Sequence, residues 1–225
     1  MQSALISLAS ASIALVGTHF ALSHPLRAPL VKTLGERGFL GVYSFVALAC
    51  MVWMYFAFTA APALDLPGSG DFGWAIATLL TLPAPVLFFG SLRGNPALPA
   101  PGAARLVRRD PIGVFRVTRH PMMWSFALWA LAHLVLWWSW RTTIVASAIL
   151  VLALVGAHLQ DRKKAAQMGA DWAGWEARTR FWPRWSFLAS AGRGVWLAGI
   201  AAWLAMTWWH LPAGGIAAGL WRWIG

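Results

Sequence analysis

Six stretches of this chain run apolar for about 18 residues or more, the length at which an α-helix crosses roughly 30 Å of hydrocarbon. They cover residues 3–23, 39–61, 74–92, 122–140, 142–159 and 195–211, and polar or Pro- and Gly-rich joints separate them. In hydrocarbon every backbone polar group must be satisfied inside the segment, so such stretches fold as helices. Hydrophobic residues make up 59% of the 225 and charged residues 11%, too few charges to coat a soluble domain. The expected fold is all-α: a single integral membrane domain over residues 1–225, a polytopic bundle of about six transmembrane helices with the lipid bilayer as its partner. No Lys or Arg precedes the first stretch; it lacks the charged region that opens a secretory signal and is expected to stay as a membrane helix.

The formal net charge of +11 is explained by the membrane and calls for no nucleic acid, because of where the cations lie. Sixteen of the eighteen Lys and Arg follow the first, third and fifth stretches; Arg141 and Arg222 fall on the opposite side, with Asp65 and Asp71. An excess of Lys and Arg marks the cytoplasmic face. Both termini are therefore expected outside, and residues 93–119 and 160–194 form large cytoplasmic joints after the third and fifth helices. Pro96, Pro99, Pro101 and Pro111 break the first joint and Phe181-Trp182-Pro183 the second. Irregular backbone near the membrane is tolerated where it lines a cavity, so a site open to the cytoplasm is expected there. Pro83 and Pro85 predict a kink in the third span, and Gly199, Gly214, Gly215 and Gly219 predict close helix packing. Tryptophan prefers the headgroup boundary: Trp137, Trp138 and Trp140 are expected at the outer one, and Trp172, Trp175, Trp182 and Trp185 at the inner one, on an amphipathic segment.

All six histidines, His19, His24, His120, His133, His158 and His210, lie in a span or at its edge. Ionisable side chains are expensive in hydrocarbon, about 2.5 kcal/mol or more when charged, so each asks for a partner. Neutral imidazole is the commonest biological metal ligand. The alternative for any one of them is an ordinary hydrogen bond to a neighbouring Ser or carbonyl. Steps of three and four from His133 reach Met122, Phe126, Trp129, Ala130 and Trp137, an apolar aromatic face that suits a flat hydrophobic cofactor or a polyene better than a hydrated ion. His120 differs: it sits between Arg119 and Pro121 where a span begins, and the free amides there, with Arg108, Arg109 and Arg116, favour a carboxylate or phosphate. Cys50 is the only cysteine, which excludes thiolate zinc sites, iron–sulfur clusters and covalent haem attachment.

Thr118-Arg119-His120-Pro121, then Leu128-Trp129-Ala130-Leu131-Ala132-His133-Leu134, then Asp161-Arg162 and Arg178-Thr179 before Phe181, resemble the NnrU family of bacterial membrane proteins. Gly17-Thr18-His19-Phe20, Pro25-Leu26-Arg27 and Leu34-Gly35-Glu36-Arg37 resemble that family's opening segment, so the likeness extends over residues 17–183. The resemblance implies a multi-pass protein of the bacterial inner (cytoplasmic) membrane, linked to denitrification and nitric oxide metabolism. A relative of the family, the 15-cis-zeta-carotene isomerase, isomerises a polyene with b-type haem. That relationship implies non-covalent haem b here, with His19 and His133 as axial ligands to the iron and Arg119, Arg27 or Arg162 at the propionates; cis-trans isomerisation of a hydrophobic small molecule is then a candidate activity.

Other readings stay open. Arg119-His120-Pro121 with Gly169, Trp172, Trp175 and Pro183 also resembles the layout of isoprenylcysteine carboxyl methyltransferases, which bind S-adenosylmethionine at such a corner. A third reading is a haem carrier or assembly factor for a respiratory nitric oxide reductase. Depth bears on the ligand pair: at about 1.5 Å rise per residue, His19 near one end of its span and His133 thirteen residues into an opposed one differ in height by roughly 10 Å. His120 with His158 or His19, and His133 with His210, are the alternative pairs.

Overall fold

The structure, a computed structural model, describes residues 2–98 and 102–224; Pro99 and Pro101 lie outside them. Among the described residues ten helices run in the order α1 (Gln2–Ser23), α2 (Arg27–Ala60), α3 (Gly70–Thr81), α4 (Pro83–Ser91), α5 (Ala103–Leu106), α6 (Pro121–Leu136), α7 (Trp140–Met168), α8 (Ala170–Arg178), α9 (Arg193–Gly214) and α10 (Trp221–Ile224), with 3-10 turns at Gly113–Arg116 and Trp185–Ala191. The described residues contain no strand. Four helical segments are long and apolar enough to cross a membrane: α1, α2, α3 with α4, and α7. The turn Trp185–Ala191 and α9, bent by 101°, make a fifth when taken as one span, and α6 is a shorter apolar helix.

The chain divides into two compact units, one holding the residues up to Gly68 with Trp137–Leu152, the other Ser69–Leu136 with everything from Ala153. In the first unit α1 lies along α2. Leu8, Ala11, Ser12 and Leu15 recur at three and four residues and are buried, the stripe that a packed helix needs. Polar side chains add to the seam: Trp53 donates its indole N–H to Ser7 Oγ at 2.9 Å, and Ser12 Oγ lies 3.6 Å from Met54 Sδ. α2 starts at Arg27, earlier than the apolar run at residue 39, because Gly35 (φ 70°, ψ 168°) breaks it into a short polar helix and a long apolar one. A positive φ with extended ψ is open to glycine and little else. At the far end Arg141 donates to the Ala61 carbonyl at 3.0 Å and stacks on Phe58, 4.5 Å from the ring centre, closing the last turn of α2. Asp65 Oδ1 accepts from the N–H of Trp140, the first residue of α7, at 2.9 Å.

In the second unit α4 lies against both α6 and α9, and α3 against α6. Val86 and Leu87 are fully buried there. α3 gives way to α4 at Leu82, whose own φ/ψ stay helical, and Pro83 opens the next helix; a proline ring and its missing N–H suit a first turn. Close packing is seen at Gly199, where a Cβ would lie 2.6 Å from Val86 Cγ2, and at Gly219, 2.7 Å from Thr207 Cγ2; Gly215 ends α9 in the left-handed conformation. α6 stops at Leu136, four residues short of the apolar run. Carbonyls that would continue it are taken elsewhere: Leu136 accepts from the Ser69 N–H at 3.0 Å, Trp137 from Gly68 at 2.9 Å and Trp138 from Leu66 at 3.1 Å.

The tryptophans divide in two. Trp182 is 67% and Trp185 45% exposed, as a boundary position requires, whereas Trp172 and Trp175 are buried at 0% and 2%. α8 turns its apolar face inward, and Trp175 meets Phe115 edge-on at 6.0 Å.

Candidate functional site

Two histidine-centred sites lie in the second unit, one at each end of α6. The turn entering α6 is held by the segment that follows α8. Arg119 N–H donates to the Arg180 carbonyl at 2.8 Å and Arg184 N–H to the Val117 carbonyl at 2.9 Å. Buried Thr118 donates its hydroxyl to the Phe181 carbonyl at 2.7 Å, and the Trp124 indole donates to that same oxygen at 2.9 Å. Pro121 then opens the helix, and the His120 carbonyl accepts from Trp124 N–H at 3.0 Å.

Held this way, Arg119 and His120 both meet Asp161 of α7. Arg119 Nε donates to the two carboxylate oxygens at 3.0 and 2.9 Å and Nη2 to Oδ2 at 2.6 Å, while His120 Nε2 donates to Oδ1 at 2.7 Å. Arg119 also pairs with Glu176 of α8 at 3.2 Å. The side chains of Arg119 and Asp161 are 13% and 9% exposed and that of His120 not at all. A guanidinium fork on one carboxylate is the strong, directional form of an ion pair. Phe181 lies 5.6 Å from the Arg119 guanidinium carbon and 5.6 Å from the His120 ring centre. His120 Nδ1 is buried without a hydrogen-bond partner among the described residues.

The corner expected to hold an external anion is thus filled by the chain's own carboxylates. Arg108 behaves likewise: it pairs with Asp171 in the first turn of α8 at 2.9 Å, and that carboxylate, chiefly through the hydrogen bond, raises the pKa of the guanidinium. The sequence pattern carries Asp161 only as a motif residue and Glu176 not at all. The available signal is that an acid just past an apolar helix needs a partner at that depth. Of the other expected residues, Arg27 pairs with Glu36 at 3.1 Å in the first unit, and Arg109, Arg162 and His158 are exposed.

At the other end of α6, His133 Nδ1 donates to the Trp129 carbonyl at 2.8 Å, and on α9 His210 Nδ1 donates to the Met206 carbonyl at 2.8 Å. A carbonyl only accepts, so in each neutral ring Nδ1 carries the proton and Nε2 keeps its lone pair. The two ring centres are 6.4 Å apart with planes 32° from parallel, and Trp129 stacks on His133 at 4.2 Å. A hydrogen bond from one ring nitrogen to a carbonyl fixes the tautomer that a histidine uses when its other nitrogen holds a metal. His19 belongs to the first unit. The Tyr43 hydroxyl lies 2.8 Å from both its ring nitrogens, in a groove lined by Leu15, Thr18, Leu22, Val46 and Ala47.

No curated protein and no solved structure matches the chain. A sequence model of the NnrU protein family matches residues 7–218, a range that takes in His19, the cluster on Asp161, His133 and His210, and the chain belongs to that family.

Proposed function

We propose that this NnrU protein binds a non-covalent b-type haem in the second unit, with His133 and His210 as its axial imidazoles. The observation that supports the reading is the matched tautomer: both rings give their Nδ1 proton to a carbonyl one turn back and keep Nε2 for a ligand. Two imidazoles bonded through nitrogen at about 2 Å to opposite sides of one metal hold their ring centres about 6 Å apart, and these two stand at 6.4 Å. The donor set fits haem iron, and Trp129 stacks on His133 at 4.2 Å. Haem held there would supply one-electron redox chemistry, tuned by its ligands and its surroundings. Within the site, the Trp129 and Met206 carbonyls would orient the imidazoles. The family's link to denitrification and nitric oxide metabolism, and its kinship with a polyene isomerase, make a small apolar molecule the ligand class.

His133 with His210 is preferred to His133 with His19 because it draws on one unit and leaves His19 its bond to Tyr43. The methyltransferase reading is weaker, since Arg119 is already engaged by Asp161 and Glu176. We take the protein to cross the bacterial cytoplasmic membrane six times with its N-terminus outside. α6, about 24 Å long at 1.5 Å per residue, is then the shortest crossing, and the Lys and Arg distribution supports the orientation.

The test is the absorption spectrum of protein purified from haem-supplied cells, with a pyridine haemochrome assay of stoichiometry. A Soret band at one haem per chain is expected, lost or converted to a high-spin form in both His133→Ala and His210→Ala and unchanged in His19→Ala. A spectrum without haem overturns the function; loss in His19→Ala with retention in His210→Ala overturns the ligand pair alone.

A further inference from the structure

Phe187, in the turn Trp185–Ala191, carries two arginines on its ring: the guanidinium carbons of Arg116 and Arg184 lie 4.6 and 4.8 Å from its centre. The pair is fixed by the backbone. Arg184 Nη2 donates to the Arg116 carbonyl at 3.2 Å and Arg184 N–H to the Val117 carbonyl at 2.9 Å, while Ser190 Oγ donates to the Gly113 carbonyl at 3.1 Å. Arg184 Nε is buried without a hydrogen-bond partner among the described residues.

Two like charges on one ring repel unless an anion meets them, and among the described residues neither arginine is in an ion pair with a carboxylate. All seven acids are engaged: Glu36 with Arg27, Asp71 with Arg222, Asp110 with Arg178, Asp171 with Arg108, Asp161 and Glu176 with Arg119, and Asp65 with the Trp140 N–H. The counter-charge has to come from outside. Exposed Trp182 and Trp185 stand two residues before and one after Arg184 in the chain, and indole settles at headgroup depth; the same turn continues through Gly192 into the apolar helix α9. At that depth the abundant anion is a lipid phosphate.

We propose that Arg116 and Arg184, held on Phe187, form a binding site for the phosphate of an anionic phospholipid, with Trp182 and Trp185 seated beside its glycerol. Each guanidinium offers a fork of N–H donors to phosphate oxygens, and stacking on the ring removes the freedom the side chains would otherwise lose on binding.

Native mass spectrometry of the full chain, delipidated in a nonionic detergent and titrated with short-chain phosphatidylglycerol, phosphatidylcholine or inorganic phosphate, tests this. Phosphatidylglycerol adducts are expected to form well below the concentrations needed for phosphatidylcholine. At about fivefold per arginine near a membrane surface, Arg116→Gln weakens phosphatidylglycerol about fivefold and Arg116→Gln/Arg184→Gln about 25-fold. Arg105→Gln/Arg109→Gln, at exposed arginines off the ring, leaves it unchanged. Arg184 also ties two turns together, whereas the Arg116 side chain donates no hydrogen bond among the described residues, so the single Arg116→Gln variant carries the result if the double variant does not fold. Equal binding of the two lipids, undiminished binding in Arg116→Gln, or inorganic phosphate binding as tightly as phosphatidylglycerol overturns the proposal.

Discussion

Replacing Asp161 by Asn removes the one charge that Arg119 and His120 share. The wild-type carboxylate receives Arg119 Nε and Nη2 and His120 Nε2 at 2.6 to 3.0 Å, and its side chain and that of Arg119 are 9% and 13% exposed. Taking away one member of a buried pair costs about 3–5 kcal/mol, because the other charge is left without its partner. Glu176 stays on Arg119 at 3.2 Å but is 35% exposed, and a pair of that exposure offsets about 1 kcal/mol. The net loss is about 3 kcal/mol. For a chain of this length each kcal/mol moves the midpoint by about 2–4 °C, so Asp161→Asn melts about 6–12 °C lower. Thermal unfolding in dodecyl maltoside, followed by circular dichroism, measures it. Arg119→Met/Asp161→Leu removes both charges and keeps the volume, and recovers to within about 1–2 kcal/mol of wild type. A single variant melting within about 2 °C of wild type, or a double variant no more stable than the single, refutes the assignment of Asp161 as the buried counter-charge.

Two further variants probe the packing. At Gly199 an added Cβ meets Val86 Cγ2 at 2.6 Å and the Val86 backbone at 3.0 Å, so Gly199→Ala is expected to lose about 1–3 kcal/mol by overpacking; Gly199→Leu should give no monodisperse peak in size-exclusion chromatography. Arg141→Ala removes the donor to the Ala61 carbonyl and the stack on Phe58, for a loss of about 1–3 kcal/mol. Faster amide exchange around residues 58–61 reads that loss directly, and Arg141→Lys restores it only in part, because an ammonium cannot stack on the ring and reach the carbonyl together.

Apolar run length located the helices, four of which among the described residues, or five with the bent pair, are long and apolar enough to cross a membrane, against the six expected. Their ends were less legible. α2 begins at Arg27 through a polar turn that hydropathy ignores, and α6 ends at Leu136 because carbonyls there accept from residues 66–69, a pairing with no local signature. Arg119-His120-Pro121 was visible as a motif, and its placement at the mouth of a helix follows from proline chemistry. Its charge partner was not visible: Asp161 lies 42 residues along the chain, and only tertiary packing brings the two together. Trp172 and Trp175 failed as boundary markers for a related reason. An amphipathic helix shows the same periodicity whether its apolar face meets lipid or protein.

The separation of Arg119 from Asp161 also sets an order of events during synthesis. Chains elongate at about 5–20 residues per second, so the 42 residues between them correspond to about 2–8 s in which α6 has been made and its guanidinium has no carboxylate. Glu176 arrives later still. The newly made entrance to α6 can therefore seal only once the end of α7 that carries Asp161 has been delivered.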